Sequence, residues 1–144
     1  MIPCPSCQKP TKEAVSCEQC GADLRLPLLL DRIGRLCFNR ALESLKEDDL
    51  VGAENQLCAA CALIPLRFET HRALGKLRAS SGRLVDAAHD LQIALKLAPE
   101  DEESKRALAE VVRLARRERL LILAGPAILA VITVASVLLF WSLR

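Results

Sequence analysis

The chain has no Tyr, one Trp and three Phe, so aromatic residues make up only 3% of its 144 positions. β-Sandwiches and barrels draw heavily on aromatic and β-branched residues, and their scarcity argues against an all-β fold. An excess of one charge is missing too. The 20 Lys and Arg against 18 Asp and Glu leave +2, which provides no electrostatic footprint for nucleic acid. The sequence contains no Ser-centred nucleophile elbow, no phosphate-binding Gly loop and no His-x-x-x-His pair, so the expectation is that it is not an enzyme. The opening MIPCPSCQKP has no apolar core of the kind a signal peptide needs. Disorder is excluded for most of the chain, because 51% of residues are hydrophobic against 26% charged.

Cysteine, by contrast, is plentiful, with seven in this short chain. Four fall as Cys4-Pro-Ser-Cys7 and, after a nine-residue spacer, Cys17-Glu-Gln-Cys20-Gly21. Each Cys-x-x-Cys turn aims two thiolates at one point, and two such turns complete a tetrahedron around Zn²⁺. Disulfides are the competing use, but a head kept in the cytoplasm stays reduced. A thioredoxin-like redox pair would need a βαβ setting, which is absent. Four Cys ligands leave no open coordination position, so the expected Zn²⁺ is structural. The segment resembles the short zinc-ribbon modules common in prokaryotic proteins, in the Pro of its first pair, its spacer and its final Cys-Gly. It departs from them at Gln8, where a Gly often follows the first pair, and at Ser16, where an aromatic residue often precedes the second.

The middle of the chain is a repeat. Residues 46–65 and 80–99, offset by 34, agree at seven of twenty positions: Leu50/Leu84, Val51/Val85, Ala53/Ala87, Leu57/Leu91, Ala60/Ala94, Leu63/Leu97 and Pro65/Pro99. About two matches would arise by chance in a Leu- and Ala-rich chain. The steps of three and four residues trace one helix face ended by Pro. A third, partial unit repeats Glu69-x-x-Arg72-Ala73-Leu74 as Glu103-x-x-Arg106-Ala107-Leu108. Helices are predicted near 28–47, 50–64, 67–80, 84–97 and 100–119, with Lys46-Glu47-Asp48-Asp49 and Ser80-Ser81-Gly82 as the turns inside each pair. The period, the small residues at helix crossings and the Pro after each second helix resemble the tetratricopeptide repeat family, over residues 34–118. That resemblance implies a groove formed by the first helix of each unit. Its facing positions fall on Arg35, Phe38 and Leu42, then Glu69, Arg72 and Lys76, then Glu103, Arg106 and Glu110. The Arg72, Lys76 and Arg106 group would receive an acidic peptide segment or a carboxylate; a mixed-charge solvated face is the plain alternative.

Residues 120–143 form a run without a formal charge. As a helix it would reach about 36 Å, enough for a hydrocarbon core of about 30 Å. A buried C-terminal helix would need more surrounding chain than remains. Lys105, Arg106, Arg113, Arg116, Arg117 and Arg119 precede the run and only Arg144 follows it, which predicts a cytoplasmic N-terminal head at the plasma (inner) membrane. Ala124, Ala127 and Ala130 offer small surfaces for close helix approach.

The expected architecture is therefore all-α: a Cys4 zinc ribbon over 1–24, helical hairpins over 25–119 and a single transmembrane helix over 120–143. Leu24, Leu26, Leu28, Leu29 and Leu30 are expected to cover the open end of the repeats. Cys58 and Cys61, on one predicted helix, read as core packing, with a metal or redox pair as the alternative; His71 and His89 read as surface or packing residues. The function expected is a membrane-anchored, non-enzymatic adaptor for a protein partner, without nucleic acid or small-molecule substrate. The alternative is an accessory subunit that docks into a membrane complex through its span.

Overall fold

The 34-residue period is visible in the backbone. The computed structural model of the chain describes residues 2–12 and 15–142. Two short strands, β1 (Ile2–Pro3) and β2 (Pro10–Thr11), pair antiparallel near the start. Five helices follow: α1 (Arg25–Lys46), α2 (Leu50–Leu63), α3 (Phe68–Ser80), α4 (Leu84–Leu97) and α5 (Glu102–Ser142). Helix α4 is α2 shifted by 34 residues at both ends, and α3 and α5 begin 34 residues apart. Helix α1 starts earlier than the sequence predicts, since Pro27 sits in its first turn, where an amide has no intrahelical acceptor.

The turns repeat as well. Asp48 and Gly82 both adopt positive φ, 60° and 77°, and behind them Asp49 N–H donates to the Ser44 carbonyl and Arg83 N–H to the Arg78 carbonyl, each at 2.9 Å. The third unit places Arg116 at this position. Arg gains nothing from the left-handed region, and α5 passes through Arg116 without turning.

Helix α1 pairs with α2, α3 with α4, and α4 with α5. Ala53, Leu57 and Ala60 of α2 and their counterparts Ala87, Leu91 and Ala94 of α4 are all fully buried. At the α3–α4 crossing only Gly75 fits, because a Cβ there would meet Leu91 Cγ at 2.8 Å and the Ala87 carbonyl oxygen at 3.1 Å. Ala41, one period earlier, is fully buried, whereas Ala109, one period later, is exposed: among the described residues no helix covers it.

The entry to each first helix differs between units. At α5, Asp101 accepts hydrogen bonds from the Ser104 amide and hydroxyl. Arg67 replaces Asp101 at α3, and the buried Thr70 hydroxyl, equivalent to that of Ser104, has no hydrogen-bond partner among the described residues. A buried hydroxyl without a hydrogen bond costs stability, and an apolar group of the same shape removes the cost. Thr70→Val is therefore expected to stabilise the chain by about 1 kcal/mol, read as a higher Tm; a lower Tm would show that the hydroxyl is satisfied.

Most side chains of the apolar run, including those of Ala127 and Ala130, lie outside the described residues. Among the described residues no helix is long and apolar enough to cross a membrane. The helical backbone itself is continuous from Glu102 to Ser142.

Candidate metal centre and helical groove

The N-terminal segment is built from the same turn used twice, thirteen residues apart. Cys4 N–H donates to the Lys9 carbonyl and Cys17 N–H to the Ala22 carbonyl, both at 2.9 Å. Gln8 N–H returns to the Cys4 carbonyl and Gly21 N–H to the Cys17 carbonyl, both at 2.8 Å. Pro3 pairs with Pro10, and Ser16 bridges Asp23 in the same register. This internal symmetry was missed at the sequence level, since outside the cysteines the two halves share almost no residues.

The two turns bring Cys4, Cys7, Cys17 and Cys20 together, with all four sulfurs within 4.8 Å of one another. Cys4 and Cys20 sulfurs lie 3.6 Å apart and those of Cys7 and Cys17 3.7 Å apart. A tetrahedron of Zn–S bonds of about 2.3 Å has edges of about 3.8 Å, so the cage is the right size for such an ion. The four residues could hold a metal ion, and as an all-thiolate set they suit a soft or borderline one.

The thiols differ in their environments. Backbone hydrogen bonding from Cys7 lowers the Cys4 pKa to about 6, and backbone hydrogen bonding from Gln19 and Cys20 lowers that of Cys17. Cys20 has the backbone of Ala22 favouring its thiolate, but burial and the other three sulfurs outweigh it and push the pKa up to about 12. One thiolate thus forms readily, and the remaining protons leave as a cation enters.

Both Gln8 and Gly21 sit at positive φ, 58° and 72°. Only glycine adopts that region freely. Gln8→Gly should relieve about 1 kcal/mol of backbone strain, seen as metal binding tightened roughly fivefold in a competition titration; unchanged affinity would mean that the first turn keeps its strained conformation without metal.

Leu24 joins this module to the helices. It is fully buried against Cys4 and Cys17, with Leu28 and Ala22 beside it, and its amide donates to the Val15 carbonyl at 2.8 Å. The expected leucine cover is only partly realised: Leu26 and Leu29 point to solvent, at 64% and 52% exposure, because the face they occupy lies opposite the one that meets the cysteines.

The proposed groove residues divide into three groups. In α1, Arg35 pairs with Asp31, Phe38 packs on the first hydrophobic cluster and Leu42 is 40% exposed. In α3, Glu69 lies 3.6 Å from Arg67. Arg72 is held by Asp101 and Glu103, each at 2.9 Å, and rests over the Phe68 ring; Lys76 reaches Glu103 at 2.6 Å. In α5, Glu110 is 3.9 Å from Arg113, while Arg106 is exposed and unpaired among the described residues. Arg72 and Lys76 are thus neutralised by the next helix. Lys76, then Arg72, lowers the Glu103 pKa. Arg106, the counterpart of Arg72, has no such carboxylate partner among the described residues.

A polar cluster between α2, α3 and α4 was not expected from the sequence. Arg78 donates to the buried Asp90 at 2.7 Å and to Glu54 at 3.2 Å, and Arg83 also grips Glu54. Nearby, His71 is buried rather than solvated, its Nε2 3.1 Å from the Pro65 carbonyl oxygen and its Nδ1 3.7 Å from Cys61 Sγ. A carbonyl only accepts, so His71 Nε2 carries a proton and donates to the Pro65 oxygen. Burial pushes Cys61 up to about 12, which keeps it a protonated packing thiol. Cys58 is exposed instead, so the core reading applies only to its partner. Gln56 and Ser44 occupy the Asp90 and Arg78 positions of the first unit, so the repeat offered no signal for this pair.

No family model matches the chain, and no curated protein matches it.

Proposed function

We propose that the chain is a non-enzymatic, membrane-anchored adaptor in which structural Zn²⁺ holds the N-terminal module, tetratricopeptide-like hairpins recognise a protein partner, and the uncharged tail keeps both at the cytoplasmic membrane face. The observation that carries the proposal is the closed Cys4 cage joined through Leu24 to a ladder of helical hairpins. A cage without an open position suits a scaffold, and stacked hairpins are a common way of presenting an extended recognition face. The partner segment is expected to be acidic. Within the chain, Arg72 is already satisfied by Asp101 and Glu103 of the next unit. Arg106 repeats that cation at the end of the ladder, where a partner's carboxylates would continue the pattern.

The test captures partners with the full chain, with Arg106→Glu and with residues 120–143 exchanged for an unrelated apolar helix. The adaptor reading expects soluble partners to survive the exchange and to fall at least tenfold with Arg106→Glu at unchanged Tm. Integral membrane partners that vanish on the exchange would instead establish the accessory-subunit reading.

A further inference from the structure

An open groove of about 800 Å³ runs between α4 and the later turns of α5. It exists because α5 does not turn at Arg116, so that among the described residues no segment folds back over this face. Val111 forms the floor and is buried. Val85 and Ile122 stand on the rim, 83% and 68% exposed, and Val112 also lines the groove. Arg116 and Arg119 line the α5 wall one turn apart, and neither has a hydrogen-bond or ion-pair partner among the described residues. Arg83, on the α4 side, is already taken by Glu54; Asp86 and Glu118 also reach the groove.

We infer that this groove holds the head group of an anionic phospholipid, its phosphate on Arg116 and Arg119 and an acyl chain along Val85 and Ile122. The inference rests on the membrane-anchored reading. A rise of about 1.5 Å per residue puts Arg116 within about 6 Å of the start of the apolar run, so the groove would open at the depth of the head groups. Guanidinium groups bind phosphate oxygens in a bidentate fork, and basic pockets beside a span on the cytoplasmic side are suited to anionic lipid. Two guanidiniums unpaired among the described residues, one turn apart beside an apolar rim, match a phosphate with an acyl chain next to it.

The full chain, reconstituted into vesicles of equal phosphatidylcholine and phosphatidylglycerol, is extracted in mild detergent, and retained lipid is counted by native mass spectrometry. Phosphatidylglycerol is expected to be retained at least tenfold over phosphatidylcholine. Arg116→Gln with Arg119→Gln should bring the ratio to parity, Val85→Asp should reduce retention of both lipids, and none of these should alter resistance to carbonate extraction. An inserted chain that retains lipid without preference overturns the groove and leaves the anchor standing. A chain washed from the vesicles by carbonate overturns the anchor and the groove with it. Efficient cross-linking of two copies through Val85→Cys assigns the groove to a second copy and also overturns the lipid inference.

Discussion

Stripping the metal from the loaded protein is expected to unfold residues 2–24 while α1 to α4 remain folded. Among its described residues the N-terminal module has almost no core of its own: those buried are Cys4, Thr11, Cys17 and Leu24, and the regular structure is one two-residue strand pair and a single bridge. So little buried apolar surface cannot offset the conformational entropy of ordering two turns. Metal–thiolate bonding can, since structural Zn²⁺ contributes on the order of 10 kcal/mol in small metallo-domains. The sensitive readout is amide exchange at Gln8 and Gly21, whose N–H groups are bonded only when the turns are formed. Their protection should collapse on chelation, while that of Leu57 and Leu91 persists. Cys17→Ser should reproduce the effect and lower affinity by orders of magnitude, and the Co²⁺ form should lose its tetrahedral thiolate spectrum. Because Cys20 must give up a proton held at a pKa of about 12, affinity should also rise with pH. Turns that stay protected without metal would refute the structural role.

The second large effect is expected at Arg78. Asp90 has a side chain only 6% exposed, and Arg78 is its ion-pair partner at 2.7 Å. Arg78→Met would leave a carboxylate in the helix interface without its counter-charge. Breaking a buried pair from one side costs about 3–5 kcal/mol, a large share of the 5–15 kcal/mol typical of a domain. The 20% exposure of Arg78 puts the expected loss near the lower figure, about 3 kcal/mol. Exchanging both partners, Arg78→Met with Asp90→Leu, should recover most of it, since no charge is then stranded.

The pH dependence separates this cause from simple loss of packing. Burial raises the Asp90 pKa, and Arg78 works against that rise. A carboxyl raised on folding binds more protons in the folded state, so its stabilising effect is present at low pH and is lost as pH climbs through the folded pKa. Removing Arg78 raises that pKa further. The Arg78→Met deficit should therefore be small in acid, where Asp90 is protonated, and full at neutral pH. A deficit independent of pH would show that Asp90 is not the group at fault. Glu54 and Asp101 behave in the opposite sense. Arg83 hydrogen bonding lowers the first and Ser104 hydrogen bonding the second, so their contribution is present above the ordinary carboxylate range and lost as pH falls below it.

Much of this was determined by the sequence alone, wherever the interaction is local or periodic. Two Cys-x-x-Cys turns suffice to gather four sulfurs, because each turn closes within a few residues and the spacer only has to bring them together. The 34-residue period gives the helices and their buried stripe, since Ala53, Leu57 and Ala60 recur in both spacing and role as Ala87, Leu91 and Ala94. The apolar run at 120–143 is equally plain as composition, though most of its side chains lie outside the described residues.

Tertiary structure alone decided which charges are free. Arg72 and Lys76 read as a receptive pair in sequence, yet Asp101 and Glu103 of the next unit consume them. His71, read as a surface or packing residue, and Asp90, for which the repeat offered no signal, are both buried, each with a partner on a neighbouring helix. Leu26 and Leu29, which read as a cap, face water. The physical reason is the same in each case. Spacing along one helix fixes which residues share a face, but what that face meets depends on the register and rotation of a second helix. A hydrophobic period leaves that rotation open, and only the packed hairpins settle it.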